Sequence, residues 1–151
     1  AKVSADYIST HQYFLENIQD EVAALRGFLS HINKSSVLLT FNGRTFDVPY
    51  IEERLAYYRI KGSLGNPHFD MLHFSRRAWS RELPNCRLAT LEKHLFGVER
   101  EDDVPSALVP EFYETYLRSK NIGPLIPIIE HNQRDLITLA NIFSRLHEEW
   151  Q

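Results

Sequence analysis

The sequence predicts an α/β domain with a small sheet and a helix-rich C-terminal half. Three observations predict it. Up to about Leu72, short apolar or β-branched runs alternate with segments of helical period. After Phe74 the pattern is helical almost throughout, broken by Pro84, Gly97, Pro105 and Gly123. At 151 residues the chain can bury most of its apolar surface in one core, so a single domain over residues 1–151 is expected. Two or three strands make a thin sheet for a helix-rich domain of this size, and further strands are expected upstream of Ala1.

The elements follow in order. Residues 7–15 place Ile8, Thr10, Gln12 and Phe14 on one face and Tyr7, Ser9, His11, Tyr13 and Leu15 on the other. Their β-branched and aromatic content predicts a strand near a sheet edge. Asn17 is placed to cap the next segment, with Asp20 and Glu21 near its positive end. Val22, Leu25, Leu29 and Ile32 recur at helical spacing, which predicts an amphipathic helix over about 18–33. Val37-Leu38-Leu39-Thr40-Phe41 is a short apolar run and predicts a buried strand. Asn42-Gly43-Arg44 is a turn. Val48, Ile51 and Leu55 restore the helical period, with Pro49 in the first turn and an end near Gly62. Phe69, Met71 and Leu72 predict a further short strand. Helices are then expected at about 72–80, 88–95, 106–119 and 123–149, the last marked by Ile128, Leu136, Leu139, Ile142, Phe143 and Leu146.

Composition narrows the function classes. A lone cysteine, Cys86, excludes an internal disulfide and any Cys-rich zinc module, which suits a reducing compartment. No apolar run approaches the length of a membrane span, and no signal-peptide pattern opens the chain, so no membrane association and a cytoplasmic location are expected. The chain opens on Ala1 and its one methionine is Met71, so a processed chain or part of a longer one is expected. The net charge of −3 is a weak match to a polyanion. Its distribution is more informative. Residues 54–100 hold nine Lys and Arg against four Asp and Glu, a balance of +5, inside a remainder at −8. Such a strip is either a set of solvated faces or a surface that meets phosphates.

The carboxylates allow two readings. Asp47 follows a strand and a tight turn and opens a helix, where it can cap the helix or face a ligand at the strand's carboxyl end. Phe46 before it is expected to act as an apolar anchor turned inward. Asp135 lies inside the last helix with His131 one turn earlier on the same face. That pair can be structural, with Arg134 or Arg145 as a further partner, or it can bind a metal and accept a proton. A hard cation such as Mg²⁺ prefers oxygen ligands, and imidazole supplies a base that titrates near neutral pH. Among other residues, Arg76, Arg77, Arg81, Arg87 and Lys93 can contact phosphates, and Trp79 can stack on a base. Asn42 can orient substrate or complete its turn. Asp70 is expected to cap the helix after it.

The stretch Leu39-Thr40-Phe41-Asn42-Gly43-Arg44-Thr45-Phe46-Asp47-Val48-Pro49 resembles the second motif of the DEDD (DnaQ-like) 3′–5′ exonuclease superfamily, Asn, three residues, then Phe-Asp. His131-Asn132-Gln133-Arg134-Asp135-Leu136 resembles its third motif. The segments Asp70-Met71-Leu72, Leu83 to Glu92 and Asp103-Val104-Pro105-Ser106 resemble the RNase H-like nuclease domains of the YprB type. The resemblance covers roughly residues 8–147.

The resemblance implies an RNase H-like three-layer fold and hydrolysis of DNA or RNA from a 3′ end with Mg²⁺ or Mn²⁺. It assigns Asp47 and Asp135 as metal ligands and His131 as general base; from the turn and the basic strip, Asn42, Arg76, Arg77 and Arg87 are expected toward the nucleic acid. His131 stands four residues before Asp135, as in the tyrosine subclass, rather than five as in the histidine subclass. The family's first motif, Asp-x-Glu on the first strand, does not occur between Ala1 and Asp47. The expectation is therefore a truncated or degenerate member, weak or inactive as a nuclease. The alternative is a non-catalytic module that binds nucleic acid or protein. A sheet edge left bare by missing strands predicts a homo-oligomer.

Overall fold

A computed structural model describes residues 2–3, 7–100 and 105–149. They group into two compact units, residues 13–87 and residues 1–12 with 88–151. Each is described by itself.

The first unit is built on a β-α-β crossover. Its elements are a helix α1 (Glu21–Ile32), strand β3 (Leu38–Thr40), helix α2 (Asp47–Tyr57), strand β4 (His68–Asp70) and helix α3 (Met71–Trp79). The second holds strands β1 (Lys2–Val3) and β2 (Ile8–Ser9) and helices α4 (Leu88–Phe96), α5 (Val109–Ser119) and α6 (Ile126–Glu149). β3 and β4 run parallel, pairing Leu38 with His68, Leu39 with Phe69 and Thr40 with Asp70. β1 and β2 pair antiparallel as a separate ribbon.

Helices match the sequence reading more closely than strands do. The predicted helix over 18–33 begins as a 3-10 turn at Ile18–Asp20 and continues as α1. The last helix likewise opens on a 3-10 turn at Gly123–Leu125, where Pro124 fits the first turn, before α6. The predicted strand over 7–15 shrinks to Ile8–Ser9. Beyond it the polar side chains bond elsewhere: Gln12 Nε2 donates to the Ile129 carbonyl at 2.8 Å, and Gln133 Nε2 donates to Thr10 Oγ1 at 3.0 Å. The predicted strand at 69–72 lies at His68–Asp70, and Met71 and Leu72 open α3 instead, because Asp70 caps it. β3 is half-buried along its length rather than buried. The Asp103-Val104 pair of the family-like segment lies outside the described residues.

The core of the first unit comprises Leu29, Ile32, Leu55 and Leu64, with Leu25, Phe28, Leu38, Val48, Ile51 and Ile60 packed around them. Leu25, Leu29 and Ile32 follow an i, i+4, i+7 stripe on α1, and Val48, Ile51 and Leu55 an i, i+3, i+7 stripe on α2. Polar bonds fasten the same two helices. Arg54 of α2 forks onto Glu21 of α1, Nε to Oε1 at 2.6 Å and Nη2 to Oε2 at 2.5 Å, and Tyr58 Oη donates to the same carboxylate at 2.8 Å. A two-pronged guanidinium–carboxylate contact fixes orientation as well as distance. In the second unit α4 packs on α6, and Leu91 and Ile142 are fully enclosed.

The hydrogen bond from Arg54 holds the Glu21 carboxyl below its ordinary pKa; partial burial opposes this, and the Tyr58 hydroxyl and the Arg54 charge assist. A depressed folded-state pKa gives stability that is present above the unfolded value, about 4.3, and lost as pH falls through the folded value. Arg54→Met should therefore lower the unfolding free energy by about 1 kcal/mol at pH 7, since the pair is only partly buried. The difference from wild type should shrink toward zero below about pH 4 as Glu21 protonates. Urea titrations at the two pH values check it.

Candidate functional site

The first unit contributes Asp47 through a turn that is defined residue by residue. Asn42 sits in the left-handed region with φ 62°, a conformation asparagine tolerates better than most residues. Gly43 is buried, and a Cβ there would lie 2.5 Å from Thr40 Cβ, so only glycine fits. The Asn42 carbonyl accepts from Thr45 N at 3.3 Å, and the Gly43 carbonyl accepts from Val48 N at 2.8 Å, which joins the turn to the start of α2.

The turn is closed by Asp70, at the carboxyl end of the neighbouring strand and 5% exposed. Its Oδ1 accepts from Asn42 N at 2.7 Å and from Leu72 N at 3.2 Å, and its Oδ2 accepts from Arg44 N at 3.0 Å. One carboxylate thus caps α3, as expected, and also binds two amides of the turn, which sequence reasoning misses. A signal for it exists: Asp70 ends the strand that runs parallel to the one leading into Asn42. Beside it, Thr40 Oγ1 and His68 Nε2 lie 2.8 Å apart, a bond across the two strands.

Asp47 is the first residue of α2 and is exposed. Phe46 takes the cap position, and no side-chain cap bond forms. Among the described residues the Asp47 carboxylate makes no hydrogen bond or ion pair, so capping by its side chain does not account for it. Its charge still favours the positive end of the helix. Phe46 is not the inward anchor expected; it is 64% exposed, because Val48 and Ile51 supply the buried contacts of α2.

In the second unit His131 and Asp135 stand together on α6, with His131 Nε2 3.2 Å from Asp135 Oδ2. The expected extra partner, Arg134 or Arg145, is corrected to Arg100. Arg134 is exposed, whereas the Arg100 side chain is 5% exposed and its Nη1 lies 2.7 Å from Asp135 Oδ1. Arg100 Nε donates to Glu92 Oε2 at 2.5 Å, and Thr138 Oγ1 donates to Glu92 Oε1 at 2.5 Å. Arg100 Nη1 also stands 3.5 Å from His131 Nδ1. Burial works against the Arg100 charge, but bonds to Glu92 and Asp135 prevail and hold its pKa above the ordinary arginine value.

Glu92 carries a sequence signal. Leu88, Leu91, Glu92 and Leu95 form an i, i+3, i+4, i+7 stripe, so a glutamate falls on an apolar face and requires a buried cation. Arg100 carries none, being one of nine basic residues in its region.

These residues do not fit a metal centre as they stand. Among the described residues no three His, Cys, Asp or Glu side chains converge to hold an ion. Arg100 Nη1 stands beside Asp135 Oδ1 as an ion pair, although that buried oxygen receives no well-directed hydrogen bond among the described residues, and His131 Nε2 faces Oδ2.

The basic strip divides into two sets. Arg54, Lys93 and Arg100 are ion-paired, Lys93 with Glu99. Arg59, Lys61, Arg76, Arg77, Arg81 and Arg87 are exposed and make no ion pair among the described residues. Trp79 cannot stack on a base here, since it is 6% exposed. With Met71 and Ser75 it forms the buried i, i+4, i+8 edge of α3, which leaves Arg76 and Arg77 outward.

A parallel strand pair joined by a crossover helix, with a helix-rich C-terminal half, makes this a mixed α/β fold. A family model described as the RNase_H superfamily matches residues 1–147, and the chain belongs to that superfamily. It is also similar to the uncharacterized protein YprB of Bacillus subtilis (strain 168), with 30% identity over 99% of this chain. The chain spans 36% of that relative's length. Among the described residues no helix is long and apolar enough to cross a membrane.

The closure of the turn is open to test. Asp70→Ala leaves the Asn42 and Arg44 amides and the α3 cap without their acceptor and should cost about 3 kcal/mol. Asp70→Ser keeps an oxygen within reach of Leu72 N but not of the turn, and should recover about 1 kcal/mol of that. Urea unfolding of the three proteins measures both.

Proposed function

We propose that this chain is a 3′–5′ exonuclease-type domain of the DEDD branch, acting on DNA or RNA with Mg²⁺ or Mn²⁺. Membership of the RNase_H superfamily supports a nuclease-type role connected with nucleic acid. The observation that carries the finer reading is the exposed, unpartnered Asp47 on its rigid turn. A carboxylate spent on structure would be bonded; this one is held out by the bonds of another. In this reading Asp47 and Asp135 would supply oxygen ligands to the cation once Asp135 is free of Arg100, and His131 would be the base for the attacking water. Asn42 orients the substrate, and Arg76, Arg77 and Arg87 meet its phosphates. No Asp-x-Glu triplet occurs between Ala1 and Asp47 to add further carboxylates, so turnover by residues 1–151 is weak or nil.

A second reading has its own observation. Asp135 is committed to Arg100 and His131, as a structural residue would be. In that case the fold and basic surface serve a non-catalytic module that binds nucleic acid.

Release of labelled nucleotide from 3′-labelled single strands with Mn²⁺ separates the two. The exonuclease reading predicts a slow, Mn²⁺-dependent release that falls at least about tenfold in Asp47→Asn, a loss of about 1.4 kcal/mol of transition-state stabilisation. Release that is the same in Asp47→Asn contradicts it. Filter binding tests the surface. Replacing Arg76, Arg77 and Arg87 by alanine should weaken single-strand binding for all sequences alike. It should also flatten the plot of log affinity against log salt by about 2, near 0.7 for each phosphate no longer neutralised.

A further inference from the structure

Arg100 has no part in the exonuclease reading, yet among the described residues of the second unit it is a buried cation held by two carboxylates. It is buried to 5% exposure and lies against the two groups proposed to do chemistry. We propose that Arg100 is the resident cation of the Asp135 site, a guanidinium latch that keeps a divalent metal off Asp135 until it is withdrawn. The inference rests on reading Asp135 and His131 as part of a nuclease site.

Three features carry it. First, the guanidinium uses the positions a metal would need. It lies 2.7 Å from Asp135 Oδ1 and 3.5 Å from His131 Nδ1, while His131 Nε2 faces the other Asp135 oxygen. A second positive ion at that oxygen would meet like charge at contact distance, where repulsion is strong in a poorly hydrated site. Second, the latch is anchored from behind. Glu92 takes Arg100 Nε at 2.5 Å on one oxygen and the Thr138 hydroxyl at 2.5 Å on the other, so the anchor is itself fixed. Third, the latch sits outside the helices. Residues 97–100 follow the end of α4 without regular structure, and Gly97 has φ 67° with open space around its Cα. Arg100 Nη2 and Asp135 Oδ1 are both buried without a hydrogen bond among the described residues, so the closed position rests on charge proximity and carries an unmet donor and acceptor that release would hydrate.

The test is Mn²⁺ added alone to ¹⁵N-labelled protein, with paramagnetic broadening read at each backbone amide. In wild type the Asp135 and His131 amides should show no selective broadening up to about 1 mM Mn²⁺, the weak end of oxygen-site affinities. In Glu92→Gln/Arg100→Met, which removes latch and anchor charge together, selective broadening at those amides should appear at least about tenfold lower in Mn²⁺. Selective broadening in wild type at lower Mn²⁺ overturns the latch, whether or not the double variant folds. So does a folded double variant that broadens no more readily than wild type. The readout is where the ion binds, so a chain without nuclease activity leaves the latch standing, and an active chain with Mn²⁺ at Asp135 sinks the latch alone.

Discussion

The first unit depends on one buried carboxylate. Asp70 receives three backbone N–H groups from two different places in the sequence, Asn42 and Arg44 on one side and Leu72 on the other. Without it the amides of the turn would face a crowded strand end with no acceptor, since Gly43 is already pressed on Thr40. The Leu72 donor is buried and the two turn donors partly so, and a donor left unmet costs more the further it is from water. The carboxylate therefore sets the path of the chain from β3 into α2. That path decides where Asp47 stands.

The acidic residues that matter most differ in how their charge is met. Asp70 is neutralised by backbone dipoles and is structural. Glu92 is neutralised by Arg100 and the Thr138 hydroxyl and supports its neighbours. Asp47 is met by solvent and by the positive end of α2. Asp135 lies between these cases, with one oxygen on a guanidinium and one on an imidazole. Burial and partner together separate the residues that hold the fold from those that remain available to a ligand, a distinction that residue type alone does not make.

Much of this is legible in the sequence, for physical reasons that differ by element. α1, α2 and α6 carry apolar residues at helical spacing, which burial enforces and sequence displays. The turn at Asn42-Gly43-Arg44 is legible because left-handed backbone and close approach restrict residue choice. The 7–15 segment misleads because alternation shows only that two faces differ, and the polar side chains of Thr10 and Gln12 bond to α6 and to partners on it instead of lying along a strand. Trp79 looks available for stacking by its residue type, but the spacing of Met71, Ser75 and Trp79 puts it inside. His131 and Asp135 are paired correctly by their i, i+4 spacing. Arg100 is invisible because its role comes from tertiary contact with Glu92 and Asp135, with no local pattern to announce it.

The claim on which the rest turns is that Asp70 closes the Asn42–Arg44 turn into a rigid support for Asp47. Native-state hydrogen exchange of the Asn42 and Arg44 amides measures it most directly. Both amides should be protected to within about tenfold of the Leu72 amide, all three opening together as denaturant is raised, because they share one acceptor. Exchange of Asn42 and Arg44 at the rate of an open surface turn, with Leu72 still protected, would contradict it.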